Sequence, residues 1–121
     1  MKKAFTALLV GLVLILVATA CSGGPGNATV HLTDQNFAQS SVTVGVGHTL
    51  TLVDDTAAAH NITNGSWVDG NAQPNREPGA PTVNVPFVGH DTHVIGPFNT
   101  TGTFHIMCTI HPGMNLTIIV R

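Results

Sequence analysis

The chain has 121 residues and a formal net charge of −2, and only 8% of its residues are charged. This length fits one domain with a targeting segment, but hardly two domains. Beyond residue 20 there is no lysine, and two arginines are set against six carboxylates, so the remaining net charge is −4. The composition therefore excludes a basic surface for nucleic acid or anionic lipid, and its apolar content argues against intrinsic disorder.

The first twenty residues have the features of an export signal. Lys2 and Lys3 precede an uncharged run over residues 4–20, whose strongly apolar part covers residues 7–17. This apolar part is short for a permanent membrane span, which needs roughly 20 apolar residues, but it is typical of a secretory signal. We therefore predict a signal peptide over residues 1–20 and export from the cytoplasm.

Small residues lead up to a cysteine at the end of this segment. The sequence there is Val17-Ala18-Thr19-Ala20-Cys21, followed by a stretch rich in glycine, serine and proline. It resembles a bacterial lipobox, which implies that Cys21 is lipidated and becomes the mature N-terminus; ordinary signal cleavage is the alternative. Residues 21–28 are then a flexible tether, and the domain covers residues 29–121. We expect a lipid anchor at the outer face of the cytoplasmic membrane or in the periplasm, with no other membrane contact.

The composition after residue 20 favours strands over helices. Threonine, valine and isoleucine are abundant there, whereas the segment has four leucines, one glutamate and no lysine. Alternation of apolar residues predicts strands, and Gly47-His48 has the composition of a hairpin turn. The predicted strands cover residues 30–32, 42–46, 50–52, 82–88, 91–95, 104–108 and 116–120.

The order of these strands sets the predicted fold class. Residues 69–81 are rich in proline, glycine and asparagine, so we predict a loop there. A tight turn over residues 109–113 joins the last two strands. Seven or eight short strands at this spacing predict an all-β fold, a Greek-key β-sandwich or a small barrel.

Three potential metal ligands lie within seven residues near the end of the sequence. The segment is Cys108-Thr109-Ile110-His111-Pro112-Gly113-Met114. Thiolate and thioether favour Cu(I), and imidazole also accepts Cu(II), so this donor set suits copper. Lipidation of the only other cysteine would leave Cys108 without a disulfide partner, and a metal bond explains such a thiol. A trigonal copper site needs a second histidine, for which His60 is favoured and His90 and His93 compete.

The segment over residues 102–114 resembles the C-terminal signature of the cupredoxins. Its short Cys-x-x-His-x-x-Met spacing is closest to the amicyanin-like members, and His60-Asn61 resembles the upstream His-Asn pair of the family. The resemblance implies a cupredoxin sandwich with three equatorial copper ligands and one weak axial ligand. Those ligands are, in order, His60, Cys108 and His111, then Met114.

The resemblance also implies the role of the residues around the ligands. Asn61 is expected to hydrogen-bond near the Cys108 sulfur and to tie the two ligand loops together at Thr109. His105 is an odd number of positions from Cys108 on the same predicted strand (opposite parity), so its side chain should point away from the site. Trp67, the only tryptophan, is predicted to serve packing and not electron relay.

We therefore expect a single-electron carrier with one copper ion per chain, and not an enzyme. The partners would be redox proteins that dock at an apolar rim around His111, with no nucleic acid involved, and the chain would be a monomer. The main alternative is a copper-binding or chaperone lipoprotein that shuttles no electrons. A Cys–His hydrolase is poorly supported, because the sequence has no orienting group near Cys108. A zinc enzyme is poorly supported as well, because zinc rarely binds a methionine such as Met114.

Overall fold

The computed structural model describes residues 24–121, in which all the regular structure is β-strand. The predicted signal peptide, Cys21 and the first part of the predicted tether lie outside the described residues. The part of the chain that is described has no helix long and apolar enough to cross a membrane. The strands are β1 (Ala28–Leu32), β2 (Ser41–Val44), β3 (His48–Asp54), β4 (His60–Val68), β5 (Asn71–Pro74), β6 (Asn84–Phe87), β7 (Thr92–Phe98), β8 (Gly102–Cys108) and β9 (Asn115–Val120).

The strands form two sheets. The smaller sheet has the order β1-β3-β7, and the larger has the order β2-β9-β8-β4, with β5 and β6 both paired to β4. β1 pairs with β3 and β2 pairs with β9 in parallel, whereas the other pairs are antiparallel. Neighbours in a sheet are therefore often distant in the chain, as Greek-key connections require. The predicted all-β Greek-key sandwich is confirmed.

One hydrophobic core fills the space between the two sheets. Alternate residues of β1, β2, β3, β8 and β9 point into it, because successive side chains of a strand point to opposite faces. On the last two strands these residues are Phe104, Ile106, Cys108, Leu116, Ile118 and Val120, all of them buried. The parity predicted from the sequence for both strands is therefore correct. It places the Cys108 side chain inside the sandwich, at the point where β8 ends.

The turn at Gly47 does not form the predicted hairpin. β2 pairs with β9, whereas β3 pairs with β1 and β7, so the turn carries the chain from one sheet to the other. Gly47 has φ of 82°, a backbone conformation that glycine adopts without steric cost. Alternation predicted both strands, but it carries no information about which strand each one pairs with.

Residues 69–81 contain a strand, so the prediction of a continuous loop is wrong. β4 and β5 form a hairpin whose turn is Asp69-Gly70, with φ of 50° and 76°. Two positive φ angles are what a type I′ turn needs, and Asp-Gly is among the dipeptides that favour it most strongly. Neither β4 nor β5 was predicted as a strand, and they raise the total in the described residues to nine.

Candidate metal centre

Three potential metal ligands meet at one end of the sandwich. His60 is the first residue of β4, Cys108 is the last residue of β8, and His111 lies in the turn before β9. Ile62 is the register partner of Cys108, so the beginning of β4 lies beside the end of β8. The ligand atoms of the three residues lie within 4.8 Å of one another, and Cys108 Sγ is 3.4 Å from His111 Nδ1. We call this group the three-donor cluster.

The turn between β8 and β9, residues 109–114, is closed by its own backbone, and we call it the ligand loop. The Cys108 N–H donates to the Met114 carbonyl at 3.0 Å, and the Met114 N–H donates to the His111 carbonyl at 3.1 Å. Gly113 has φ of 81°, in the left-handed region that favours glycine. Met114 is fully buried in the same core as Cys108. Its role as an axial ligand stays a prediction.

Asn61 connects the beginning of β4 to the ligand loop. Its side-chain N–H donates to the Thr109 hydroxyl at 2.9 Å, and the Thr109 N–H donates to the Asn61 carbonyl at 2.9 Å. The Asn61 backbone N–H is also directed at Cys108 Sγ, at 3.5 Å. A donor at this position stabilises negative charge on the sulfur, and the pair with Thr109 holds the segments that carry His60 and Cys108 together.

His60 is buried and both of its ring nitrogens lack a hydrogen-bond partner. Burial lowers the pKa of His60, an effect that the nearby Asp54 carboxylate opposes. The neutral imidazole is therefore favoured, and this is the form that binds metals. Because a buried polar atom without a partner is costly, the two free nitrogens of His60 indicate that a ligand belongs here.

The Asp54 carboxylate is also buried beside this imidazole. One of its oxygens accepts hydrogen bonds from the Thr56 N–H and hydroxyl, at 2.9 and 3.0 Å. The other has no partner and lies 3.9 Å from His60 Nε2. Nε2 is therefore the His60 ring nitrogen that lies near the Asp54 carboxylate, at a distance too long for a hydrogen bond.

The competing histidines are placed elsewhere. Neither His90 nor His93 belongs to the three-donor cluster, which is the metal-ligating group found among the described residues. His93 Nε2 lies 3.5 Å from an Asp91 oxygen. His105, expected to point away from the site, is hydrogen-bonded to Glu77 at 2.6 Å.

Sequence reasoning missed two residues close to the cluster. Asp54 is one, and Trp67 is the other: its indole N–H donates to the Cys108 carbonyl at 2.8 Å. Neither residue belongs to a local motif, and each reaches the site only through the pairing of strands distant in sequence. No signal in the sequence distinguishes them from ordinary strand residues.

Comparison with solved structures identifies the class of fold. The chain aligns with a purple cupredoxin from Nitrosopumilus maritimus with a TM-score of 0.60 and 19% identity, over 78% of this chain and 99% of that one. It aligns with amicyanin from Paracoccus versutus with a TM-score of 0.58 and 21% identity, over 78% of this chain and 81% of that one. This chain therefore has the cupredoxin fold, as the sequence motifs predicted.

A larger protein contains the same fold. The chain aligns with 23% of a copper-containing nitrite reductase from Thermus scotoductus, over 81% of its own length, with a TM-score of 0.58 and 19% identity. No protein-family model matches the sequence, and no curated protein matches it either. Because the identities to the solved structures are this low, the likeness establishes the fold and not the function.

Proposed function

We propose that this chain is a single-electron carrier that binds one copper ion through His60, Cys108 and His111, with Met114 as a weak axial ligand. The observation that carries the proposal is the three-donor cluster, whose ligand atoms lie within 4.8 Å of one another on a cupredoxin fold. Copper also fits the chemistry of the donors, since a buried imidazole with no partner stands beside a buried thiol. Two histidines, one cysteine and a long axial methionine are the donor set of a blue copper site.

The protein contributes by holding its donors in one arrangement. Bound copper would supply the one-electron couple between Cu(I) and Cu(II). Cys108 and Met114 are fully buried in the core, so packing prevents their side chains from moving with the charge and excludes water from them. The Asn61–Thr109 pair restrains the ligand loop further. Little reorganisation is then needed when an electron enters or leaves, and nothing in this arrangement calls for bond-making catalysis.

The exposed part of the ligand loop is the proposed contact with redox proteins. His111 is half-buried, while Ile110, Pro112 and Gly113 around it are exposed, with 54% of Ile110 accessible. These residues carry no charge, so a partner would find an apolar rim around the most accessible ligand. Such a surface suits brief encounters, because charged groups need not be desolvated.

Copper titration of the protein tests this function. We expect one copper ion per chain, an intense colour in the oxidised form, and loss of the colour on addition of one electron per chain. His60→Gln should weaken copper binding strongly, whereas His31→Gln should not, since His31 lies at the surface beside Asp55. A protein that binds zinc tightly and gives no visible band with copper would contradict the proposal.

We further propose that residues 1–20 are a signal peptide, that Cys21 is lipidated, and that residues 21–28 tether a monomeric copper domain outside the cytoplasmic membrane. The support is the lipobox-like segment that ends at Cys21 and the glycine-rich stretch that follows it. One acyl chain anchors a protein only marginally, so stable attachment implies the several chains of a processed lipoprotein.

Fractionation of a bacterium that expresses the full chain tests the anchor. The protein should partition with membranes, and Cys21→Ser should leave it either unprocessed or released. Ser22→Ala, one residue further on, is the matched control and should remain in the membrane fraction. Recovery of the unaltered protein from the medium, with Ser22 or a later residue at its N-terminus, would show that Cys21 is not lipidated.

A further inference from the structure

The hairpin formed by β4 and β5 bends back toward the ligand loop. β4 pairs with β8 as far as Asn64, and its pairing with β5 begins at Gly65. Ile62 is the register partner of Cys108, and Trp67 is five residues further along β4. On a straight strand, five residues would separate Trp67 from Ile62 by about 16 Å. The Trp67 indole N–H nevertheless donates to the Cys108 carbonyl at 2.8 Å. The strand must therefore turn sharply between these residues.

Gly65 makes this bend possible. Its φ is 131°, and a Cβ at this position would lie 2.4 Å from the backbone carbonyl oxygen of Gln73 on β5. Only glycine accommodates both the backbone angle and the close approach of β5. Gly65 thereby directs the tip of the hairpin onto the end of β8.

Two further hydrogen bonds join Trp67 to the other end of the ligand loop. The Trp67 backbone N–H donates to the Asn115 side-chain oxygen at 2.7 Å, and the Asn115 side-chain N–H donates to the Trp67 carbonyl at 3.1 Å. Asn115 directly follows Met114, and Cys108 directly precedes Thr109. One residue of the hairpin therefore holds the chain at both ends of the ligand loop.

We propose that Trp67 is a positioning residue for the metal ligands, which fixes the ligand loop from the β4–β5 hairpin and raises the reduction potential of the copper site. The effect on the reduction potential rests on the proposed function, whereas the fixing of the ligand loop does not. The indole N–H directs its partial positive charge at the carbonyl oxygen of Cys108, which is a proposed ligand. Without it, the bare carbonyl oxygen leaves more negative charge near the metal, which favours Cu(II) over Cu(I).

Removal of the indole N–H alone is the test, and Trp67 is the only tryptophan in the chain. Growth with β-(3-benzothienyl)alanine in place of tryptophan replaces that N–H by sulfur at nearly constant shape, and Trp67→Phe is the second variant. In the metal-free protein, amides of the ligand loop should exchange with solvent about fivefold faster, the effect of one lost hydrogen bond. Amides of β1 and β3 should be unchanged.

The copper-loaded variants give the second measurement. The Cu(II) to Cu(I) ratio at a fixed potential should rise about threefold, a fall in potential of ~30 mV for a one-electron couple. Val68→Ala is the control, because Val68 is 44% exposed on the same hairpin and has no side-chain bond to the loop. It should change neither the exchange rates nor the potential.

The two measurements separate the outcomes. Unchanged exchange of the loop amides in both variants would overturn the positioning role, even if the protein binds copper and is coloured. An unchanged potential would overturn the effect of Trp67 on the metal. Faster exchange in a protein that binds no copper would instead support the positioning role and contradict the proposed function.

Discussion

Replacement of Cys108 by serine should abolish the visible absorption of the copper-loaded protein. The colour of such a site arises from charge transfer from a thiolate to Cu(II), and a serine hydroxyl offers no comparable donor orbital. Serine is also a poor match for Cu(I), which prefers soft sulfur ligands, so the affinity for the reduced ion should fall as well. Absorption spectra and electron spin resonance of the loaded variant measure both effects.

The other cysteine provides the matched control for this experiment. Cys21→Ser makes the same chemical change, but Cys21 lies outside the proposed copper domain. The spectrum should then be that of the unaltered protein. A visible band that survives in Cys108→Ser would show that Cys108 is not the thiolate ligand.

Two substitutions of Met114 should move the reduction potential in opposite directions. Met114→Gln should lower it, because an amide oxygen is a harder donor than a thioether and stabilises Cu(II) relative to Cu(I). Met114→Leu should raise it, because the volume is kept while the donor is lost. A tenfold change in relative binding corresponds to about 59 mV for a one-electron couple, and we expect shifts of roughly this size or larger. Voltammetry of the three proteins gives the values.

A second buried methionine distinguishes ligation from packing. Met107 on β8 is as fully buried as Met114, but its side chain has the opposite parity to Cys108 and points away from the three-donor cluster. Met107→Leu should therefore leave the potential unchanged. If Met114 only packs, its leucine variant should behave in the same way, and its glutamine variant should mainly lose stability through a buried amide. Equal potentials for all these proteins would remove Met114 from the site.

Local patterns in the sequence predicted the last two strands and the turn between them. β8 and β9 have apolar residues at every second position, and the segment from Cys108 to Met114 is too short to be anything but a turn between them. Cys108 and His111 are brought together by this turn alone, so the spacing of the motif was sufficient to predict their proximity. His60 required the family resemblance, since its approach depends on pairing between β4 and β8.

The β4–β5 hairpin was missed because its stabilisation is not local. β4 contains two asparagines and a glycine, residues that are usually depleted in strands. Their side chains are used in other ways: Asn61 bonds Thr109, and the Asn64 side chain bonds the backbone of residues 81 and 83. The Asp69-Gly70 dipeptide favours a hairpin turn and could have predicted this one. The proline, glycine and asparagine residues that follow it led instead to the prediction of a loop. Trp67 could not be placed, because the bend at Gly65 is visible only once β5 is present.

The direction of β1 determines where the chain enters the domain. β1 runs parallel to β3, with Ala28 beside Leu50 at its beginning and Leu32 beside Asp54 at its end. Asp54 lies next to His60, so β1 runs toward the three-donor cluster, and its first residue lies about 13 Å behind its last. The Gly45 N–H donates to the Gly26 carbonyl, which holds the entering segment at that distant end of the sandwich.

A protein attached to a membrane through Cys21 would consequently stand with its metal-binding end facing outward. Cys21 and Ala28 are seven positions apart in the chain and lie at most about 25 Å from each other, so the cluster would sit above the lipid at a height limited by this length plus that of the sandwich. A redox protein embedded in the same membrane could exchange electrons only if its own centre projected to a similar height. Partners that diffuse freely would meet no such requirement, so the length of residues 21–28 would select between the two kinds of partner.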